Sequence, residues 1–297
     1  MDRNQWRVVS GAVGRAVRRL PKPRRRPRYP DALVVRMLLW AVSHDRPPSW
    51  SCDRSHYGPL FRPRKRLPSV SQFNRRVRTE RVRRVLQSMH DERAGVLVPT
   101  ALSYLDGKPL PVGVASKDPD AKVGHVMGGF ARGYKLHAWM SEDRRIVLWS
   151  VMPLNVGEQP VAEALVWAMP ELSDRALVIA DRNYDTHDLH KAVDARNGRL
   201  VVRPRGVAHH PVTLRQMGRA RRELLEVYQS RPGLIDLLYK QRTNAEGTLG
   251  NLCSYGGGLG PLPAWVRRLP RVRRWVGCKI ILYNTRVHVR STKKRAA

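Results

Sequence analysis

The chain has 297 residues, with 56 Lys+Arg against 24 Asp+Glu and a formal net charge of +32 at pH 7. Its 42% hydrophobic content excludes a wholly disordered basic tail, and the length suits one large domain or two modest ones. The longest apolar stretch, Leu33 to Val42, is interrupted by Arg36 and is too short to span a bilayer, so no membrane association is expected. The first residues, MDRNQWRVVSG, lack the apolar run of a secretory signal. Cys52, Cys253 and Cys278 are odd in number and widely spaced, which fits neither a disulfide framework nor a zinc pattern. A reduced, cytoplasmic, nucleoid-associated protein is expected.

Residues 1–30 end in LPKPRRRPRYP, whose four prolines forbid regular helix, so a basic arm is expected there. Asp31 is placed to cap a helix running to Val42, and Ser69 or Ser71 opens a second helix carrying Phe73, Val77, Val85, Leu86 and Met89 on one side. Arg75 and Arg76 lie among the many arginines on its other side. Residues 31–99 thus read as a helical, DNA-binding region. From about residue 100 the pattern changes. Strand-like runs appear at 101–106, 134–140, 146–152, 176–181 and 199–205, with helical patterns at Glu158–Met169 and Asp185–Arg196 between them. That alternation predicts an α/β core over 100–255, with helices packed on a sheet. A basic helix is expected at 213–229 and another helix at Ile235–Leu252. The Gly-rich break GGGLGPLP then leads to a basic C-terminal helix, interrupted at Pro270, within 256–297.

Charge follows the same division. Residues 1–100 hold 24 Lys+Arg and 7 Asp+Glu, residues 101–200 hold 12 and 13, and residues 201–297 hold 20 and 4. Basic flanks of this kind point to a polyanion such as double-stranded DNA, since each cation that meets a phosphate releases condensed counterions.

Three acidic residues stand out in this basic chain. Asp106 and Asp181 end the apolar runs ALSYLD and ALVIAD, and residues past the carboxyl ends of sheet strands are those that reach a ligand. Both also suit a plainer role, Asp106 in an Asp-Gly turn and Asp181 as a cap. Tyr239, Arg242 and Glu246 follow at i, i+3 and i+7 along one helix face, which an ordinary Arg242–Glu246 salt bridge would also explain. Carboxylates from separate elements can hold a pair of divalent ions for phosphodiester chemistry. Lys135 and His137, two apart on one strand, share a face that either meets a DNA backbone or is simply solvated. Asp185 and Asp188 read as helix-start residues. There is no HExxH, P-loop or paired CxxC.

LDGKPLPV, GFARGYKLH, NVGEQP, ADRNYD and YxxRxxxE occur here in that order, with SQFNRRV before them and ILYNTRV after them. This set resembles bacterial insertion-sequence transposases of the DDE type, in the subgroup marked by a Tyr-Arg-Glu signature. The resemblance implies a ribonuclease-H-like fold, a mixed sheet flanked by helices. It implies Asp106, Asp181 and Glu246 as the catalytic triad, holding two Mg²⁺ or Mn²⁺ ions. It further implies Tyr239 and Arg242 beside transposon-end DNA, and a homodimer in the synaptic complex. The short span from Asp181 to Glu246 predicts a compact core without a large β-rich insertion. Cys253 stands where the family often has Lys, and Gly247 and Gly250 weaken the helix that carries Glu246. Two other readings use the same residues: a nuclease of this fold without strand transfer, and a DNA-binding descendant that no longer cuts.

Overall fold

The structure, a computed structural model, describes residues 1–94, 101–113, 115–169, 172–173, 175–204, 217–254 and 258–296. The expected boundaries at 99/100 and 255/256, residue 205, the start of the 213–229 helix and the first glycines of the 256–263 break lie outside them. The chain divides into two compact units, one of residues 1–94 and 251–297, the other of residues 95–250.

The first unit is helical. Its described helices are α1 (Arg3–Arg19), α2 (Asp31–Ser43), α3 (Val70–Val77), α4 (Glu80–Ala94) and the long C-terminal helix Leu269–Ala296. The arm expected over 1–30 is confined to the proline run after Leu20. Upstream, Trp6, Val9, Ala12, Val13 and Ala16 recur at helical spacing, and all are buried on α1. Asp31 does not cap α2. Pro30 holds that position, and Asp31 is buried in the first turn, bound by Arg81 and by Arg76 at 2.5 Å. Ser69 does cap α3, in a reciprocal capping box with Gln72. The expected second helix is two, because the chain turns at Arg78–Thr79, where the Thr79 hydroxyl donates to the Arg76 carbonyl at 2.8 Å.

The C-terminal helix is neither interrupted by Pro270 nor solvated. Proline is tolerated in a first turn, and Val272, Val276, Ile280 and Ile281 are buried. The helix packs on α1, α2 and α4, and buries Lys279 against Asp45 and the Val42 carbonyl (3.0 Å). Of the arginines named for DNA contact, Arg75 is exposed, whereas Arg76 is committed to Asp31.

The second unit is built on a six-stranded mixed sheet: β1 (Leu102–Pro111), β2 (Lys122–Val126), β3 (Gly129–Ser141), β4 (Ile146–Pro153), β5 (Ala176–Ala180) and β6 (Gly198–Val201). The order is β2-β3-β1-β5-β6, with β4 also on β3. β1, β3 and β4 are antiparallel, while β5 and β6 run parallel to β1. Helices α5 (Glu158–Ala168) and α6 (His187–Asp194) bury Leu165, Val166, Leu189 and Val193 with Leu105, Trp139, Val178 and Ala180 of the sheet. The apolar run ALVIA is thus a strand covered by helices, as its composition requires. Beyond the sheet come α7 (Arg219–Ser230), α8 (Pro232–Lys240) and α9 (Thr243–Ser254); the C-terminal helix is accordingly α10. No described helix is long and apolar enough to cross a membrane.

Candidate active site

β1 does not end at Asp106. It continues to Pro111 by pairing with β3, so Asp-Gly makes no turn here. The parallel ladder between β1 and β5 runs from Leu102–Leu177 to Leu105–Ala180. Asp106 and Asp181 are the next residue on each chain, so the two carboxylates leave neighbouring backbones separated by one strand spacing of about 4.8 Å. Each carboxylate folds back onto the following amide: Asp106 Oδ1 accepts from Gly107 N at 2.8 Å, and Asp181 Oδ1 from Arg182 N at 2.6 Å.

Burial holds the Asp106 carboxyl above its ordinary range, and the negative charges of Asp181 and Glu246 add to the effect. The Gly107 amide and the Arg242 guanidinium oppose it. The Asp181 and Glu246 charges thus both reach Asp106.

Tyr104 and Asp106 are two apart and share one face of β1. On that face Asn244, in the first turn of α9, donates to the Tyr104 hydroxyl at 3.1 Å and accepts from Arg144 at 3.2 Å. This docks α9 on β1 and brings Glu246 toward Asp106. The single helix expected over Ile235–Leu252 is broken at Gln241–Arg242. There the amides bond three residues back, and Thr243 Oγ1 donates to the Lys240 carbonyl at 3.0 Å. Gly247 and Gly250 do not end α9, which runs to Ser254.

Tyr239 closes α8, and its hydroxyl lies 3.5 Å from Asp181 Oδ1. Arg203 stacks over the Tyr239 ring at 4.7 Å and Arg242 at 5.8 Å. Arg242 also pairs with the exposed Glu246 carboxylate. Asp106, Asp181, Glu246, Tyr239 and Arg242, spread over some 140 residues of sequence, thus form one group.

Lys135 and His137 do not form a solvated pair. Lys135 is bound to Glu158 at the start of α5, and its charge is disfavoured by burial while Asp106 and Asp181 draw its pKa back up. His137 is fully buried, both ring nitrogens lack a partner, and burial beside Lys135 lowers its pKa to about 4. Asp185 is not a helix cap. It is buried, held by both nitrogens of Arg221 (2.8 and 2.7 Å) and by His190 at 3.1 Å. Thr186 caps α6 instead.

Tyr184 escaped notice in the sequence although it lies within ADRNYD. Its hydroxyl is buried without a partner among the described residues, its pKa is raised by burial and by Asp106 and Asp181, and it occupies the space opposite Gly107. A Cβ at Gly107 would stand 3.4 Å from that hydroxyl and 2.6 Å from Lys135 Cε, so any larger residue there would displace the lysine side chain. Glu158, Arg203 and Asn244 also went unseen, since each is tied to the group by tertiary contact alone.

Two hard carboxylates side by side, one of them held above its usual range by burial with neighbouring negative charge adding to it, suit a small divalent cation. Among the described residues, no group of three His, Cys, Asp or Glu side chains is gathered to hold an ion as arranged. The Glu246 carboxylate is turned to Arg242.

The family model described as Transposase DDE domain matches residues 101–262. No curated protein matches the chain in sequence. Among solved structures, the chain is similar to the piggyBac transposase in its synaptic complex with hairpin DNA. That match has 12% identity and a TM-score of 0.50, and covers 97% of this chain and 73% of that one. A second match, to a simian T-cell lymphotropic virus intasome in complex with the PP2A regulatory subunit B56 gamma, covers 64% and 70% at 14% identity. Its TM-score of 0.23 is too low to relate the folds.

Proposed function

The chain belongs to the transposase DDE domain family, and on that premise we propose that it cuts and rejoins insertion-sequence DNA ends with Asp106, Asp181 and Glu246 as its metal-holding residues. The observation that carries this reading is the adjacency of Asp106 and Asp181 across the β1–β5 ladder. The effect of the Asp181 and Glu246 charges on Asp106 supports it. Four strands paired antiparallel followed by two parallel ones, with helices packed on them, support a ribonuclease-H-like core.

In this reading Asp106 and Asp181 would hold the ion, with Glu246 as a third ligand once its carboxylate is free of Arg242. Mg²⁺ or Mn²⁺ bound there would polarise the phosphoryl oxygen and acidify a bound water. Arg242, released from Glu246, donates to a non-bridging phosphate oxygen and offsets the charge that builds up in line. The Tyr239 hydroxyl, beside Asp181, keeps that carboxylate turned toward the site. Water oxygen bonds to phosphorus, the P–O3′ bond breaks and a 3′-hydroxyl leaves. That hydroxyl then attacks a target phosphate in the same site: its oxygen bonds to phosphorus, the target's own P–O3′ bond breaks, and a target 3′-hydroxyl leaves with the proton. DNA is the partner, and a dimer follows from the need to hold two ends.

One observation favours a second reading, a descendant that binds DNA without cutting: the exposed Glu246 carboxylate is already neutralised by Arg242. A nicking assay separates the two, using a duplex that carries the inverted repeats flanking the reading frame. The proposal expects Mg²⁺- or Mn²⁺-dependent nicks and joined products, both abolished by Asp181→Asn while DNA binding is retained. An unsubstituted protein that binds the duplex but leaves it intact in either metal would select the second reading. Nicks without joined products would select a nuclease.

A further inference from the structure

We infer that the helical unit carries a phosphodiester-binding groove of its own, formed by Arg3, Arg7, Arg36 and Arg62 against a wall of Trp6 and Phe61, which takes the backbone of duplex DNA. The groove is open and of about 1080 Å³, and no acidic residue lines it. The basis is a difference among arginines of the same unit. Three of its carboxylates are each held by two or more arginines: Asp31 by Arg76 and Arg81, Glu92 by Arg15, Arg19 and Arg93, and Glu80 by Arg83 and Arg84. None of the four groove arginines has a carboxylate partner among the described residues. Asp2, the nearest acid in sequence, turns its carboxylate onto the Gln5 amide at 2.7 Å as the α1 cap.

Arg36 is the anchor. It rises from the middle of α2, donates Nη2 to the Ser10 carbonyl at 3.1 Å, and leaves a buried Nε without a partner. Burial without a counter-charge disfavours its positive form, a cost that an incoming anion would relieve. Arg3, Arg7 and Arg62 are exposed on the rim. Trp6 and Phe61, with ring centroids 5.0 Å apart, give the groove a rigid apolar wall. Cations around an apolar floor, with no carboxylate to repel phosphate, match a sugar-phosphate strand, where sugar packs on the wall and phosphates meet the rim.

The inference rests on DNA being the partner, and its test separates the two claims. Fluorescence anisotropy of a labelled 20-bp random-sequence duplex is measured with the full chain over a salt series. The triple variant Arg3→Gln, Arg7→Gln, Arg62→Gln is compared with a charge-matched control at exposed arm positions, Arg24→Gln, Arg25→Gln, Arg26→Gln. Loss of three phosphate contacts should reduce the salt-dependence slope by about 2–3 and weaken binding roughly 100-fold at low salt, with a clearly smaller change in the control. Arg36→Lys, which keeps the charge but not the fork, should weaken binding several-fold with an unchanged circular dichroism spectrum. Equal losses in the triple variant and the control would overturn the groove while leaving DNA as the partner. No binding of any duplex by the unsubstituted chain would overturn both. Tighter binding of a single strand than of the duplex would overturn the duplex assignment.

Discussion

The two units handle acidic residues in opposite ways. In the helical unit each buried carboxylate is met by two or more arginines, as Asp31 is by Arg76 and Arg81. In the sheet unit Asp106 and Asp181 are instead set beside each other, each hydrogen-bonded to its own next amide, with Arg242 already held by Glu246. Asp185, four residues beyond Asp181, follows the helical unit's rule, locked by Arg221 and His190. A carboxylate paired directly with arginines holds a fold together, whereas two carboxylates side by side with no direct ion pair among the described residues repel each other and suit a cation.

Neutralising one member of each class tests that contrast. The largest effect is expected from Asp106→Asn, which should reduce metal-dependent nicking by at least about 10³-fold. The same change should raise the melting temperature by about 2 °C, because the ionised carboxyl is disfavoured in the fold. The sign follows from linkage. A carboxyl held above its unfolded value favours the fold more as pH falls, so the gain from Asn should shrink on acidification. A lower melting temperature at neutral pH would put Asp106 in the structural class. Asp31→Ala should do the reverse, costing about 3–5 kcal/mol in denaturant unfolding, since two partly buried guanidinium groups lose their only carboxylate. A cost below about 1 kcal/mol would erase the distinction.

Much of this architecture was legible in the sequence. Leu33–Val42, ALVIAD and Glu158–Met169 announced α2, β5 and α5 because their apolar residues recur at the spacing each element buries. β2 was not legible: it is a mostly exposed edge of five residues, KVGHV, interrupted by Gly124 and, among the described residues, paired only with β3. α1 was legible in Trp6, Val9, Val13 and Ala16, but the prolines that follow it suggested an arm. The breaks at Arg78–Thr79 and Gln241–Arg242 contain no Gly or Pro and depend on threonine hydroxyls capturing carbonyls, a local competition that periodicity does not register. For the site, Asp106 and Asp181 stand out in the sequence as the acids closing two apolar runs, although β1 continues past Asp106 to Pro111. Tyr184 and Glu158 matter through packing around Gly107 and Lys135, which sequence spacing does not encode.

Smaller effects sharpen the contrast further. His137 is buried neutral with its pKa lowered to about 4, so its unfolded form takes up a proton first as pH falls. The fold should lose roughly 3 kcal/mol between about pH 6.5 and 4 on its account. His137→Gln should flatten that part of the stability–pH curve, and a curve of unchanged steepness would show that His137 does not titrate there. The smallest change is expected from Gly247→Ala on α9, where an added Cβ meets nothing within 4 Å. It should stabilise the chain by about 0.5–1 kcal/mol. Destabilisation would mean that the glycine answers a backbone requirement at Glu246's helix.

The central claim is that Asp106 and Asp181 jointly hold a divalent cation. Electron paramagnetic resonance of free Mn²⁺ in the presence of the protein reads this without requiring DNA or turnover. The account predicts saturable depletion of the free-ion signal by the unsubstituted chain and its loss in Asp181→Asn. Equal depletion by both proteins, or none by either, would contradict it.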